Sequence, residues 1–253
     1  IEFNNFWKYG SRYCNPKRTQ FGMDWSGASN IPELNDKLKN IMIRRLKIDV
    51  LKELPNKRRS NIEMELDDAS KIEYIKCQDS LFTYLKEKKG MHTALKSMGN
   101  PALVRIEELR QISARGKLKA IIEWIENFLE DGDEKLVVFA HHKEILHTLN
   151  DRFKNQSVIF TGENSSEEKQ QAVDAFQNND RIKLFFGNIK SAGVGITLTK
   201  SSTVLFCEFD WTPALLNQSE DRTHRMGQKE AVNVYYTVAN VNDRKTIDGY
   251  MQN

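Results

Sequence analysis

No run of apolar residues in this chain approaches the roughly 20 needed to cross a bilayer, and the opening IEFNNFWKYG lacks the layout of a signal peptide. Cysteine is scarce: Cys14, Cys77 and Cys207 are odd in number and far apart, which excludes a disulfide framework and any Cys-x-x-Cys pair. That usage suits a reducing, intracellular setting: nucleoid or cytoplasm in a bacterium or phage, nucleus in a eukaryote. The five histidines include the neighbours His141 and His142 but no His-Glu-x-x-His or comparable ligand spacing, so no metal site is expected. With 13 Gly and 5 Pro in 253 residues the chain is neither fibrous nor disordered. Hydrophobic residues at 39% supply a core for one large domain or two modest ones.

The usual phosphate loop is also missing. A P-loop needs Gly-x-x-x-x-Gly-Lys-Ser/Thr, so that backbone N–H groups wrap the phosphates and a hydroxyl holds magnesium. The single Gly-Lys is Gly116-Lys117, with Gln111 and Leu118 where Gly and Ser/Thr are required. No Asp-Glu-x-His box is present to hold magnesium and orient a water, and no nucleophile elbow or dinucleotide fingerprint appears. The chain alone is therefore expected not to hydrolyse ATP.

Charge is uneven. The net charge is +3, yet residues 1–60 hold 13 Lys and Arg against 6 Asp and Glu, and the remainder is acidic. The densest basic stretch, Ile43–Arg59, contains Arg44, Arg45 and Lys47. From charge alone, such a stretch serves a solvated helix face as readily as a phosphate-binding surface.

Three regions differ in pattern. Residues 1–60 are loop-rich up to Asn30, and Leu34, Leu38, Ile41, Met42 and Leu46 then fall at helical spacing, ending before Pro55. Residues 61–115 begin with the alternating strand Asn61–Leu66; Asp67-Asp68 starts helices over 69–90 and 101–112. From 116 to 253, strands at 136–140, 157–160, 182–186, 203–209 and 232–238 alternate with helices at 117–130, 142–153, 165–177 and 213–225. That order predicts an α/β fold: a parallel sheet with helices on both faces, after an all-helical segment and a connector.

The stretch Gln218–Gln228 (QSEDRTHRMGQ) carries the most chemistry. Arg222 and Arg225 are three residues apart, so on a helix they share one face. Beside Gln218, such a pair makes a planar, permanently charged clamp for phosphate. The same residues also read as a surface ion-pair lattice with Glu220 and Asp221.

Set beside its neighbours, this stretch resembles the sixth helicase motif of the Swi/Snf family of DNA translocases, in helicase superfamily two. Ser191–Thr199 (SAGVGITLT) resembles the fifth motif, Asp210-Trp-Thr-Pro213 the tryptophan box, and Leu136–His142 with Thr161-Gly162 the fourth motif and its sequel. Ile43–Val50 and Leu54–Lys57 resemble the lobe connector. Phe21–Asn30, Arg12-Tyr-Cys14 and Phe139–His142 are similar to the annealing-helicase subgroup.

The resemblance implies a RecA-like C-terminal motor lobe at 116–253, a helical protrusion at 61–115, and the end of lobe one with a basic connector at 1–60. It implies that Arg222 and Arg225 are arginine fingers toward ATP, with Gln218, Gly193 and Gly195 closing the nucleotide cleft. Thr161, Gly162, Ser191 and Trp211 are expected on DNA, with Arg44, Arg45 and Lys47 as further phosphate contacts. For His141 and His142, a satisfied strand-end role weighs as much as a DNA contact. ATP and Mg2+ would be held mainly by a first lobe, and this chain would be a fragment of a parent protein that carries it. The implied partners are that lobe and double-stranded or branched DNA, with no membrane, in a monomer. The alternative is a catalytically silent module that binds DNA or protein.

Overall fold

The computed structural model describes residues 4–19, 22–39, 41–43, 47–192, 195–242 and 244–252. Two compact units are present, Ile1–Lys52 and Glu53–Asn253.

In the first unit, helix α1 (Phe6–Tyr13) is capped by Asn5, whose side chain accepts from the Lys8 N–H. A two-stranded antiparallel hairpin follows, β1 (Lys17–Thr19) with β2 (Gly22–Asp24). Helix α2 (Ile31–Leu38) begins with Pro32 in its first turn, and α3 (Lys47–Val50) is a single turn. Arg12 and the Tyr13 hydroxyl both donate to Glu33, tying α1 to α2. The apolar spacing through Leu46 suggested a longer helix, but α2 stops at Leu38, and Ile41 and Met42 stand exposed beyond it.

The second unit opens with strand β3 (Lys57–Glu65), four residues earlier than its alternation indicated, because the whole length pairs in parallel with a later strand. Four helices follow: α4 (Asp68–Asp79), α5 (Leu81–Lys89), α6 (Met91–Ser97) and α7 (Pro101–Gly116). Asp67 caps α4 by accepting from the Ser70 N–H at 2.9 Å, Ser80 separates α4 from α5, and Asn100 caps α7. One residue, Lys117, then joins α7 to α8 (Leu118–Glu130).

Strands and helices alternate from there: β4 (Leu136–Ala140), α9 (Lys143–Arg152), β5 (Ser157–Phe160), α10 (Ser166–Asn178), β6 (Leu184–Asn188), α11 (Ile189–Ala192), β7 (Thr203–Phe206), α12 (Pro213–Glu220), β8 (Val232–Val241), β9 (Arg244–Lys245) and α13 (Ile247–Met251). A capping box opens α10: the Ser165 hydroxyl accepts from the Glu168 N–H, and the Glu168 carboxylate accepts from the Ser165 N–H.

Six strands form a parallel sheet in the order β3-β8-β7-β4-β6-β5, and β9 adds antiparallel to β8. Every residue of β4 is buried, as expected for a strand covered on both sides. Its side chains divide by parity. Val137 and Phe139 pack in one core with Phe176, Phe185, Phe206 and Leu216, while Leu136, Val138 and Ala140 pack in another with Ile121, Ile125, Ile145 and Leu149. Thus α10 and α12 cover one face, and α8 and α9 the other. A third core gathers α4–α7 around Tyr74, Cys77, Leu81 and Tyr84 and takes in Ala239, Val241 and Ile247, so the helical segment packs on the end of β8 and on α13. Among the described residues, no helix is long and apolar enough to cross a membrane.

Candidate nucleotide and nucleic-acid site

Two strand ends and two loops position the expected functional residues. The helix expected over 213–225 ends at Glu220, so Arg222 and Arg225 lie on a following turn and not on a helix face. The chain leaves the helix because its backbone pairs elsewhere. The Arg222 carbonyl accepts from the Leu198 N–H at 2.8 Å, and the Arg225 guanidinium donates to the Ile196 carbonyl and the Thr197 hydroxyl, each at 3.3 Å. Gly227, at φ +98°, closes the turn in a conformation suited to glycine.

Both arginines are thereby laid against the loop that begins with Gly195, itself at φ +34°. Arg222 is half-buried and Arg225 exposed. Burial, together with the positive charge of Arg225, lowers the proton affinity of Arg222. Two guanidinium groups close enough to repel define a place where an anion is favoured. Gln218 sits exposed on α12. Gly193 lies outside the described residues, as do Arg44 and Arg45; Lys47 starts α3 in the first unit.

The second grouping forms at the ends of β5 and β6. A Cβ placed on Gly162 would stand 3.5 Å from the Ser191 hydroxyl, so these two expected contacts are neighbours. Thr161 is buried, and its N–H and hydroxyl both donate to the Asn164 side chain at 2.8 and 3.1 Å. Asn188, at the end of β6, accepts from the Lys190 and Ser191 N–H groups and donates to the His141 carbonyl. A cleft of about 440 Å³ is lined by Phe160, Lys169, Gln170, Ser191 and Ile196. Ile196 links the groupings, because its carbonyl receives Arg225.

Trp211 is 52% exposed, a large fraction for an indole, and the Arg110 guanidinium lies 5.5 Å from its ring centre. It borders a cavity of about 530 Å³ with Arg59, Phe209, Pro213, Leu216 and Tyr236.

Several residues beyond the expected contacts hold this site together. Gln228 is buried, donating to the Thr199, Ser201 and Thr223 carbonyls and accepting from the Lys229 and Glu230 N–H groups. Glu220 is fully buried and receives Arg59, Lys57 and the Tyr236 hydroxyl at 2.6–2.7 Å. Burial raises its carboxyl pKa, and the bonds from Arg59, Lys57 and Tyr236 more than reverse this, leaving it below the usual range. Glu208 accepts from the His141 and His142 N–H groups and pairs with His142 Nδ1 at 2.5 Å, while Asp210 pairs with His141 Nδ1 at 3.1 Å. β7 ends at Phe206, short of the expected Phe209, and the Glu208 carboxylate beyond it turns to the residues that follow β4. A glutamate inside the apolar run TVLFCEF was the sequence signal for this role.

A parallel sheet covered by helices on both faces, with a paired-arginine turn docked on a glycine-bearing loop, defines a RecA-like α/β lobe. Residues 116–227 match the helicase conserved C-terminal domain. The chain is 33% identical to the SWI/SNF-related matrix-associated actin-dependent regulator of chromatin subfamily A-like protein 1 of Xenopus tropicalis, over 98% of this chain and 26% of that protein. It is 34% identical to the human DNA annealing helicase and endonuclease ZRANB3, over 94% of this chain and 22% of that protein. The chain thus spans about a quarter of the length of these relatives. Two solved structures share the fold. The C-terminal part of the Fun30 ATPase domain matches with a TM-score of 0.66, at 18% identity over 79% of this chain and 89% of that one. The Sulfolobus solfataricus SWI2/SNF2 ATPase core in complex with dsDNA matches at 0.56, with 23% identity over 93% and 51%. The chain belongs to the SWI/SNF-related helicase family, as a C-terminal helicase domain.

Proposed function

We propose that this chain is the second motor lobe of an ATP-dependent translocase on double-stranded DNA, with Arg222 and Arg225 as its arginine fingers. The observation that carries the reading is the docking of the 221–228 turn on the 195–199 loop, which brings the charge of Arg225 to bear on the half-buried Arg222. Planar guanidinium forks suit phosphate oxygens, and relief of their repulsion favours an anion between them. Gln218 and Gly195 would approach the same nucleotide, with Gly193, outside the described residues, as a further expected contact. ATP, when bound, would supply the phosphoanhydride whose cleavage drives the lobes; the P-loop and the carboxylates for Mg2+ would belong to a first lobe of the parent protein. The work of this chain is to neutralise charge developing on the terminal phosphate, which an arginine finger accelerates by about 10³–10⁵ where one is used.

DNA would run past Gly162, Ser191 and the exposed ring of Trp211, with Arg44, Arg45 and Lys47 as further expected contacts and the buried Thr161 fixing the 161–164 turn through Asn164. The dsDNA complex of the archaeal neighbour and the annealing activity in the name of the human relative support this partner. Contacts of this kind read phosphates, so affinity should be tolerant of sequence and fall steeply with salt. A monomeric, chromatin- or nucleoid-associated parent acting in fork or chromatin remodelling follows from the same reading.

The test is DNA-stimulated ATPase of the parent protein carrying Arg225→Ala. Loss of stimulation with DNA binding retained supports the finger role. Stimulation that survives refutes it, and a parent without ATPase leaves a DNA- or protein-binding module.

A further inference from the structure

We propose that Glu107, His141 and His142 form a binding site for a divalent transition-metal ion, suited to zinc, that ties helix α7 to the end of strand β4. One donor atom from each of these residues lies within 4.8 Å of the other two. Donors around a tetrahedral zinc with bonds of about 2.0–2.1 Å lie roughly 3.4 Å apart. The Glu107 side chain, 54% exposed, has room to move toward such a geometry.

The surroundings resemble those of a metal-binding histidine pair. His141 Nδ1 is engaged by Asp210 and His142 Nδ1 by Glu208, both carboxylates nearly buried. A carboxylate on one ring nitrogen fixes the imidazole's orientation and raises the basicity of the other, as in carboxylate–histidine–zinc arrangements. His142 Nε2 already faces Glu107 Oε1 at 3.4 Å.

Charge points the same way. Glu107, Glu208 and Asp210 set three carboxylates against the one guanidinium of Arg110, an excess of two negative charges that a dication would neutralise. Arg110 occupies only one oxygen of Glu107, Oε2 at 3.2 Å, and also holds the Phe209 carbonyl, so Oε1 is left toward the histidines. Two imidazoles and one carboxylate favour zinc, nickel or copper over magnesium, which prefers an all-oxygen shell. The donors come from positions 107, 141 and 142, so no local ligand spacing announces the site.

The experiment is a zinc titration of the full 253-residue chain against a chromophoric chelator, with thermal unfolding followed in parallel. One equivalent should bind, and the unfolding midpoint should rise with added zinc. Glu107→Gln, which keeps a neutral oxygen for Arg110 on an exposed position, should weaken binding at least tenfold and remove the rise, as should His142→Gln. His92→Gln, at an exposed histidine elsewhere, should change neither. Absence of saturable binding by the unaltered chain, or equal affinity in the Glu107→Gln chain, overturns the proposal.

Discussion

Lys117 and Asp248 meet inside the protein, with Nζ 2.7 Å from Oδ2 and the lysine wholly shielded from solvent. The ammonium also donates to the Thr237 carbonyl, and the same Asp248 oxygen accepts from the Ser113 hydroxyl and the Ala239 N–H. One carboxylate thus joins the α7–α8 junction, the end of β8 and helix α13. Removing a single member leaves the other buried and unpaired, at a cost of about 3–5 kcal/mol. Asp248→Ala is expected to lower stability by that much in urea unfolding. The double change Lys117→Met with Asp248→Leu should recover most of it; no recovery would mean that the charges do not carry the effect.

The buried Glu220 gives the protein an acid-sensitive limb. Its folded pKa lies below the unfolded value, so its contribution is fully present above the unfolded pKa of about 4.3 and is lost as pH falls through the lower folded value. Glu220→Gln should destabilise at pH 7 by about 1.5–3 kcal/mol, the scale of a hydrogen bond to a charged group. The loss should shrink as pH falls below the unfolded pKa, because the unfolded chain then takes up a proton that the folded Glu220 resists. A difference independent of pH between 3 and 7 would rule this out.

Arg225 and Gln228 stand three residues apart yet should respond oppositely. Arg225→Ala removes an exposed side chain and should change stability by no more than about 0.5 kcal/mol. Gln228→Ala leaves three carbonyls without their donor and should cost about 1–3 kcal/mol. Thermal unfolding of the two variants decides whether the turn divides into a scaffold and a functional half.

Trp211 is expected to behave as a contact residue and not as a core residue. Trp211→Ala should leave the unfolding midpoint nearly unchanged, since half of the ring is already in water. Binding of single-stranded or duplex DNA to the parent should weaken by about 1–3 kcal/mol, the contribution of one stacked base. A large stability loss with unchanged DNA affinity would place the ring in the core.

Much of the architecture was legible in local patterns. β4 and β5 lie where their apolar runs indicated, Asp67 caps α4, and Ser165 with Glu168 opens α10, because these signals act within a few residues. The errors fall where a distant partner decides. β3 begins at Lys57 since its register partner is Val232, which lies far along the chain. The arginine-bearing segment leaves the helix because Leu198, Ile196 and Thr197 take its hydrogen bonds.

By itself, the sequence determined the alternation of strand and helix, the burial of the central strands on both faces, and the motif residues that identify the family. Each of these is written in side-chain type and short-range spacing. Tertiary structure alone decided which charged groups meet. Glu220 is joined to Lys57 and Arg59 across the sheet, Glu208 reaches the two histidines, and Lys117 finds Asp248. Such pairs depend on the order of strands in the sheet, and strand order is a property of the packed chain that no local pattern encodes.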